Sequence, residues 1–249
     1  MREDTALYYR KMPSPLTVLY SDEYLLVVDK PSGILSIPDR YDPDAPVAVS
    51  ELRAAWGRLF AVHRLDKDTS GVLIYARNAE AHKSLSAAFE SRSVAKTYRA
   101  LVRGSPTWDE TTCELPLMPD GDRLHRTIVA AHHGKRSATS FVVVARYKDC
   151  ALVEARPETG RTHQVRVHLA ALGHPCLCDP LYGDGDALLL SKLKRRWKGD
   201  PFAERPLLAR AALHALSAEF PHPLTGAALK VEAPLPKDMK ATISQLEKL

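Results

Sequence analysis

The chain predicts an α+β fold: a mixed, mostly antiparallel β-sheet core with flanking helices and loops. Two patterns point there. Short runs rich in Val, Ile, Leu and Tyr outnumber segments of helical spacing, and those runs fall in adjacent pairs separated by turn residues. Composition agrees with a self-sufficient core: 249 residues, 45% hydrophobic and 26% charged.

Residues 1–13 are polar and read as a loosely held lead-in. Residues 16–20 and 24–29 are two short strands, with Ser21-Asp22-Glu23 as the turn between them. Lys30-Pro31-Ser32-Gly33 forces a second turn, because Pro fixes one backbone angle and Gly admits positive ones. The apolar run 34–37 stops at Pro38, and the following 39–46, with two prolines and three aspartates, is a loop. Residues 47–59 suit a helix and 72–76 a strand. Asn78 caps a helix over 79–90 whose Ala81, Leu85 and Ala88 share a face. A strand over 94–102 precedes an irregular stretch, 103–137, rich in Pro, Gly, His and Arg. Strands follow at 139–146 and 151–155, then a helix over 162–172 that Gly173 closes. Residues 174–206 are mostly loop with a basic piece, and 216–220 and 229–232 are closing strands. With no internal repeat or low-complexity linker, one domain over 14–236 is implied, with 237–249 as a Lys-rich tail.

The net charge of +5 favours a polyanionic partner without proving one. Four cysteines, Cys113, Cys150, Cys176 and Cys178, are too few and too unevenly spaced for a disulfide framework; reduced thiols and a cytoplasmic location are the simpler account. The amino terminus leads into no apolar stretch, and no run of about 18 apolar residues occurs.

The stretch that demands a function is His63-Arg64-Leu65-Asp66-Lys67-Asp68-Thr69-Ser70-Gly71, a charged loop between two apolar segments. In it Asp66 and Arg64 lie on one side of an extended chain; a plain surface ion pair is the competing account. A second constellation, Glu158 to His168, feeds a Gly-containing turn into a helix start carrying Arg161, His163, Gln164 and Arg166. Helix amino termini attract anions, phosphate above all; the alternative is a solvated helix face. A third is Lys96-Thr97-Tyr98, where Lys96 and Tyr98 point the same way along a strand. Asp66 to Ser70 superficially matches the Asp-x-Asp-x-Thr phosphatase signature, but His63-Arg64 interrupts the apolar strand that signature needs and Ser70 replaces Thr. His174-Pro175-Cys176-Leu177-Cys178 has no matching ligand pair for zinc, and no P-loop or dinucleotide glycine pattern is present. Basic pieces flank these segments: Arg123, His125 and Arg126; His132, His133, Lys135 and Arg136; and Lys192, Lys194, Arg195, Arg196 and Lys198 around Trp197. Cations with an interleaved aromatic suit an RNA backbone and an unstacked base.

Together these segments resemble the RluA-type pseudouridine synthases, from about residue 16 to 236. Lys30-Pro31-Ser32-Gly33 is similar to the family's first motif and His63-Arg64-Leu65-Asp66 with Thr69-Ser70-Gly71 to its catalytic motif. Lys96-Thr97-Tyr98, Gly160 to His168, Asp179-Pro180-Leu181-Tyr182-Gly183 and Arg210 to Ala215 resemble the later signatures, in the family's order. The resemblance implies an enzyme that isomerises uridine in rRNA or tRNA to pseudouridine, with no metal or organic cofactor. It implies Asp66 as the essential carboxylate, acting as nucleophile or as base on the sugar. Arg166 would pair with Asp66 and keep it ionised. Tyr98 would lie on the uracil, and the three would line one uracil-sized cleft. Arg64 would fill the gap left by the flipped nucleotide, with His63, Lys96, Arg161, His163 and Gln164 as further substrate-binding residues. A monomer without an obligate protein partner is expected, and the loop 184–205 matches no shared signature. A noncatalytic RNA-binding protein on the same fold is the alternative, and the trio of Asp66, Tyr98 and Arg166 argues against it.

Overall fold

The structure is a computed structural model that describes residues 16–39 and 43–249; the lead-in at 1–13 and part of the loop at 39–46 lie outside the described residues. The elements open with β1 (Thr17–Ser21), β2 (Leu25–Lys30), α1 (Ala48–Trp56), β3 (Phe60–Ala61), β4 (Ser70–Ala76) and α2 (Ala79–Glu90). They continue with β5 (Ala95–Arg103), β6 (Glu110–Cys113), β7 (Leu117–Met118), β8 (Ile128–Val129), β9 (Thr139–Arg146), β10 (Cys150–Pro157) and α3 (Gln164–Ala171). The chain closes through α4 (Leu190–Leu193), β11 (Leu213–Pro221), β12 (Ala228–Glu232) and α5 (Lys237–Leu246). The fold is α+β with a mostly antiparallel sheet, as the strand-rich pattern predicts. Two compact units make it up: Met1–Lys96 with Ala215–Pro234, and Thr97–His214 with Leu235–Leu249.

In the first unit the strand order is β1-β2-β4-β11, with β3 beside β4 and β12 beside β11. The β2–β4 register runs antiparallel from Leu25 opposite Ala76 to Lys30 opposite Gly71. Alternation then puts Leu25 and Val27 on the same face as Ile74 and Ala76, where Ala81, Leu85 and Ala88 of α2 cover them. Each large aliphatic side chain so removed from water is worth roughly 1.5–3 kcal/mol. The α2 start is fixed as expected: the Asn78 side chain accepts from Ala81 N at 2.8 Å.

In the second unit the order is β5-β10-β9-β6, and β7 and β8 form a small separate hairpin. Ala100, Val102, Val153 and Phe141 pack on one face with Val165 and Leu169 of α3. Leu101 and Leu152 pack on the other with Met239 and Leu246 of α5. The tail is therefore a core helix: Met239 and Leu246 are buried, and Arg210 forks the Asp238 carboxylate at 2.7 and 3.0 Å. The stretch 103–137 holds β6, β7 and β8, strands too short to register as periodic runs.

Candidate active site

Asp66 opens a β-turn, closed by Thr69 N donating to Asp66 O at 3.1 Å. The turn is clamped from both sides by the segment that follows β2. Gly33 N and Lys30 Nζ both donate to Lys67 O, at 2.9 and 3.1 Å. The same ammonium reaches Ile34 O at 2.8 Å and Pro31 O at 3.0 Å, and Lys30 is fully buried. A buried cation is tolerated because its three N–H donors face three carbonyls. On the other side Ser36 Oγ donates to Leu65 O and accepts from Leu65 N, both at 2.9 Å. Tyr75, also fully buried, donates to Ser36 O at 2.8 Å. The residues on either side of Asp66 are thus held through their backbones, and its carboxylate is only partly buried.

The other predicted residues of the first unit divide by environment. Arg64 is exposed. His63 faces the scaffold: Nε2 accepts from Ile74 N at 2.9 Å and the ring stacks on Phe89 at 4.8 Å. Desolvation, with the Lys96 charge second, pulls its pKa from 6.5 to about 3, so the imidazole is neutral. Lys96 is itself half-buried, and desolvation pulls its pKa down as well.

Tyr98, Arg161, His163, Gln164 and Arg166 belong to the second unit, and Asp66 to the first. Tyr98 is half-buried on β5, against the cluster that includes Val165 and Leu169. Helix α3 is no solvated face. Gln164, Val165, Arg166, Val167, His168 and Leu169 are all buried, and His163 enters it in a left-handed conformation, φ +54°. Gln164 spends every amide capacity inside the protein. Oε1 accepts from Thr159 Oγ1 at 2.7 Å and Arg161 N at 3.0 Å; Nε2 donates to Ala138 O and Thr139 Oγ1, both at 2.9 Å. That leaves no spare donor or acceptor for a nucleotide, so the residue shapes the turn before the helix. Arg161 lies along the surface with Nε donating to Arg136 O at 3.2 Å. His168 is fully buried among Thr139 Oγ1, Ser137 Oγ and Leu115 O, and burial lowers its pKa.

Arg166 has a partner that spacing did not suggest. Its Nε and Nη2 donate to Asp179 Oδ2 and Oδ1, each at 2.7 Å, with both side chains buried. Desolvation pushes the Asp179 carboxyl up, but the hydrogen bonds and charge of Arg166, with the Leu181 and Tyr182 N–H donors, hold it below the ordinary carboxylate range. The signal for Asp179 was present: a carboxylate set among Cys176, Leu177, Cys178, Pro180 and Leu181 must bury beside a cation.

The RNA pseudouridylate synthase family matches residues 24–171, more than half of the chain. A ribosomal large subunit pseudouridine synthase D of Zymomonas mobilis is 35% identical over 242 residues, covering 93% of this chain and 73% of that protein. A dual-specificity RNA pseudouridine synthase RluA of Vibrio vulnificus is 34% identical over 223 residues, covering 87% and 82%. Among solved structures, human RNA pseudouridylate synthase domain containing 1 superposes with a TM-score of 0.69 at 30% identity, covering 91% of this chain and 87% of that one. Motif order, the clamped turn at Asp66, the fold and these likenesses agree: the chain belongs to the RluA-type RNA pseudouridine synthases, isomerases that convert uridine in RNA to pseudouridine.

Proposed function

We propose that Asp66 is the essential carboxylate of the isomerisation, as nucleophile or as base on the sugar. Tyr98 lies on the uracil and takes the proton released from ring carbon five, and Arg166 supplies the guanidinium charge that favours an ionised carboxylate. The bond from the sugar to ring nitrogen one breaks, the base turns, and a bond to ring carbon five forms. Carbon five loses a proton and nitrogen one gains one, so the balance calls for no oxidant or reductant. Arg64, exposed beside the turn, fills the stack when the nucleotide flips out. The substrate is a cytoplasmic rRNA or tRNA, and the enzyme acts as a monomer. The relatives named for the large ribosomal subunit favour rRNA.

The observation that carries this reading is the clamp on either side of Asp66: Ser36 on Leu65, and Lys30 and Gly33 on Lys67. Such a turn presents a carboxylate at fixed position, which orientation-dependent catalysis requires. The test uses unmodified rRNA and tRNA transcripts carrying tritium on uridine carbon five. Wild-type protein should release tritium, and Asp66→Ala should lower the rate by on the order of a thousandfold or more while RNA binding persists. Undiminished turnover in Asp66→Ala would remove the mechanism. Binding without any release by wild-type protein would favour the noncatalytic alternative.

A further inference from the structure

The Asp-Pro-Leu-Tyr turn encloses the Arg166 guanidinium on two sides. Asp179 forks its edge, and the ring of Tyr182 covers its face at 5.2 Å from the centroid. The carboxylate also builds the turn that carries the ring, because Asp179 Oδ1 accepts from Leu181 N at 2.9 Å and from Tyr182 N at 3.2 Å. The Tyr182 hydroxyl is used as well. It accepts from Thr127 N at 3.0 Å and lies 2.9 Å from His163 Nδ1, at the entry to the helix that bears Arg166. A second tie comes from Arg126, whose Nη1 donates to Leu181 O at 2.9 Å while its Nε pairs with Asp122 at 2.8 Å. Residues 122–127, in which Arg123 and His125 are exposed, are thus fastened to the turn at two points.

We propose that residues 179–182 are the positioning element of Arg166, and that Tyr182 links the exposed basic segment 122–127 to that guanidinium. Asp179 fixes the direction of the fork. Tyr182 fixes its plane and joins it to a surface that RNA phosphates would meet. Contact of RNA with the segment then steadies the arginine at the moment of reaction. The proposal rests on the reading of Arg166 as part of the reacting centre.

The probe is a tritiated large-subunit rRNA transcript, with kcat and KM from tritium release, Kd from filter binding and folding from thermal melts. Arg166→Ala separates the two ideas: wild-type kcat there would fail the parent reading. With Arg166→Ala impaired, Asp179→Asn should lower kcat on the order of a hundredfold with Kd unchanged. Tyr182→Phe, which keeps the ring and removes the hydroxyl, should lower kcat about tenfold with KM unchanged. Asp179→Asn added to Arg166→Ala should cost nothing further, because the first residue acts through the second. Wild-type kcat in Asp179→Asn or Tyr182→Phe, a full independent loss in the double variant, or a fall in RNA affinity that accounts for the fall in rate would each overturn the proposal. If Asp179→Asn does not melt cooperatively, Tyr182→Phe decides alone.

Discussion

Gly71, the second residue of β4, has φ +112°, and a Cβ placed there would lie 2.1 Å from Ala215 O and 2.7 Å from Ala215 C. Both the backbone angle and the close approach exclude a side chain. Gly71→Ala should therefore cost about 3 kcal/mol or more, read as a large drop in melting temperature or as insoluble protein. A variant that melts like wild type would show that the strand beside Gly71 can move away. The glycine was legible as the end of a motif, but its cause was not, since Ala215 arrives from far along the chain. His63 and Gln164 look like RNA contacts because they are polar and sit in motifs, yet the hydrogen bonds found for them are to Ile74 N and to Thr159, Arg161, Ala138 and Thr139. A sequence does not say whether a polar side chain meets protein or solvent. Asp179 was the reverse case: it stood in a recognised signature without a role, and its apolar neighbours were the clue to burial.

Elements with local signals were readable, and those defined by distant partners were not. The α2 bounds and its Asn78 cap follow from a capping residue and one apolar face, both local. Helix α3 starts later than the apolar spacing suggests because His163 adopts a left-handed conformation, and its polar residues are buried rather than solvated. In α5 Met239, Thr242 and Leu246 are the buried positions, a helical spacing masked by neighbouring lysines. Two groups at the β2–β4 pair titrate in opposite senses: Asp29 on β2, and His63, whose ring accepts from Ile74 N of β4. Burial raises Asp29 from 3.8 to about 6, with Lys30 opposing. Its contribution is fully present below about pH 4 and is lost as pH rises through 6. His63 is depressed from 6.5 to about 3, chiefly by desolvation, so its contribution is present above 6.5 and lost as pH falls toward 3. Asp29→Asn should therefore raise the urea midpoint at neutral pH. His63→Gln, which keeps an acceptor for Ile74 N but does not titrate, should flatten the acid limb. Parallel pH profiles for wild type and both variants would mean that neither group is held as described.

For the molecule as a whole, the net charge of +5 suits a polyanionic substrate such as RNA. Flipping a uridine costs a few kcal/mol, and phosphate contacts are the available offset. The segment 192–198 carries Lys192, Arg195, Arg196 and Lys198 exposed, with Lys194 and Trp197 half-buried. Lys194→Ala or Arg195→Ala should weaken RNA binding and lower the slope of log affinity against log salt by about one. An unchanged slope would take this segment out of the interface. Fold class and family were legible because motif order and strand pairing span the chain. The division into two units was not, because two of its three crossings, Lys96/Thr97 and His214/Ala215, carry no Pro or Gly, and only Pro234/Leu235 lies beside prolines.

Strand β4, all seven of its residues buried, has β2 along one edge, while the opposite edge waits for β11 apart from the two residues taken by β3. A ribosome releases β4 long before β11 exists. The nascent polypeptide therefore carries an open, apolar ladder through most of its synthesis, a template for wrong pairing with other chains. Closure late in translation should make folding slow and chaperone-dependent, and a premature stop before β11 should yield aggregates rather than a soluble fragment.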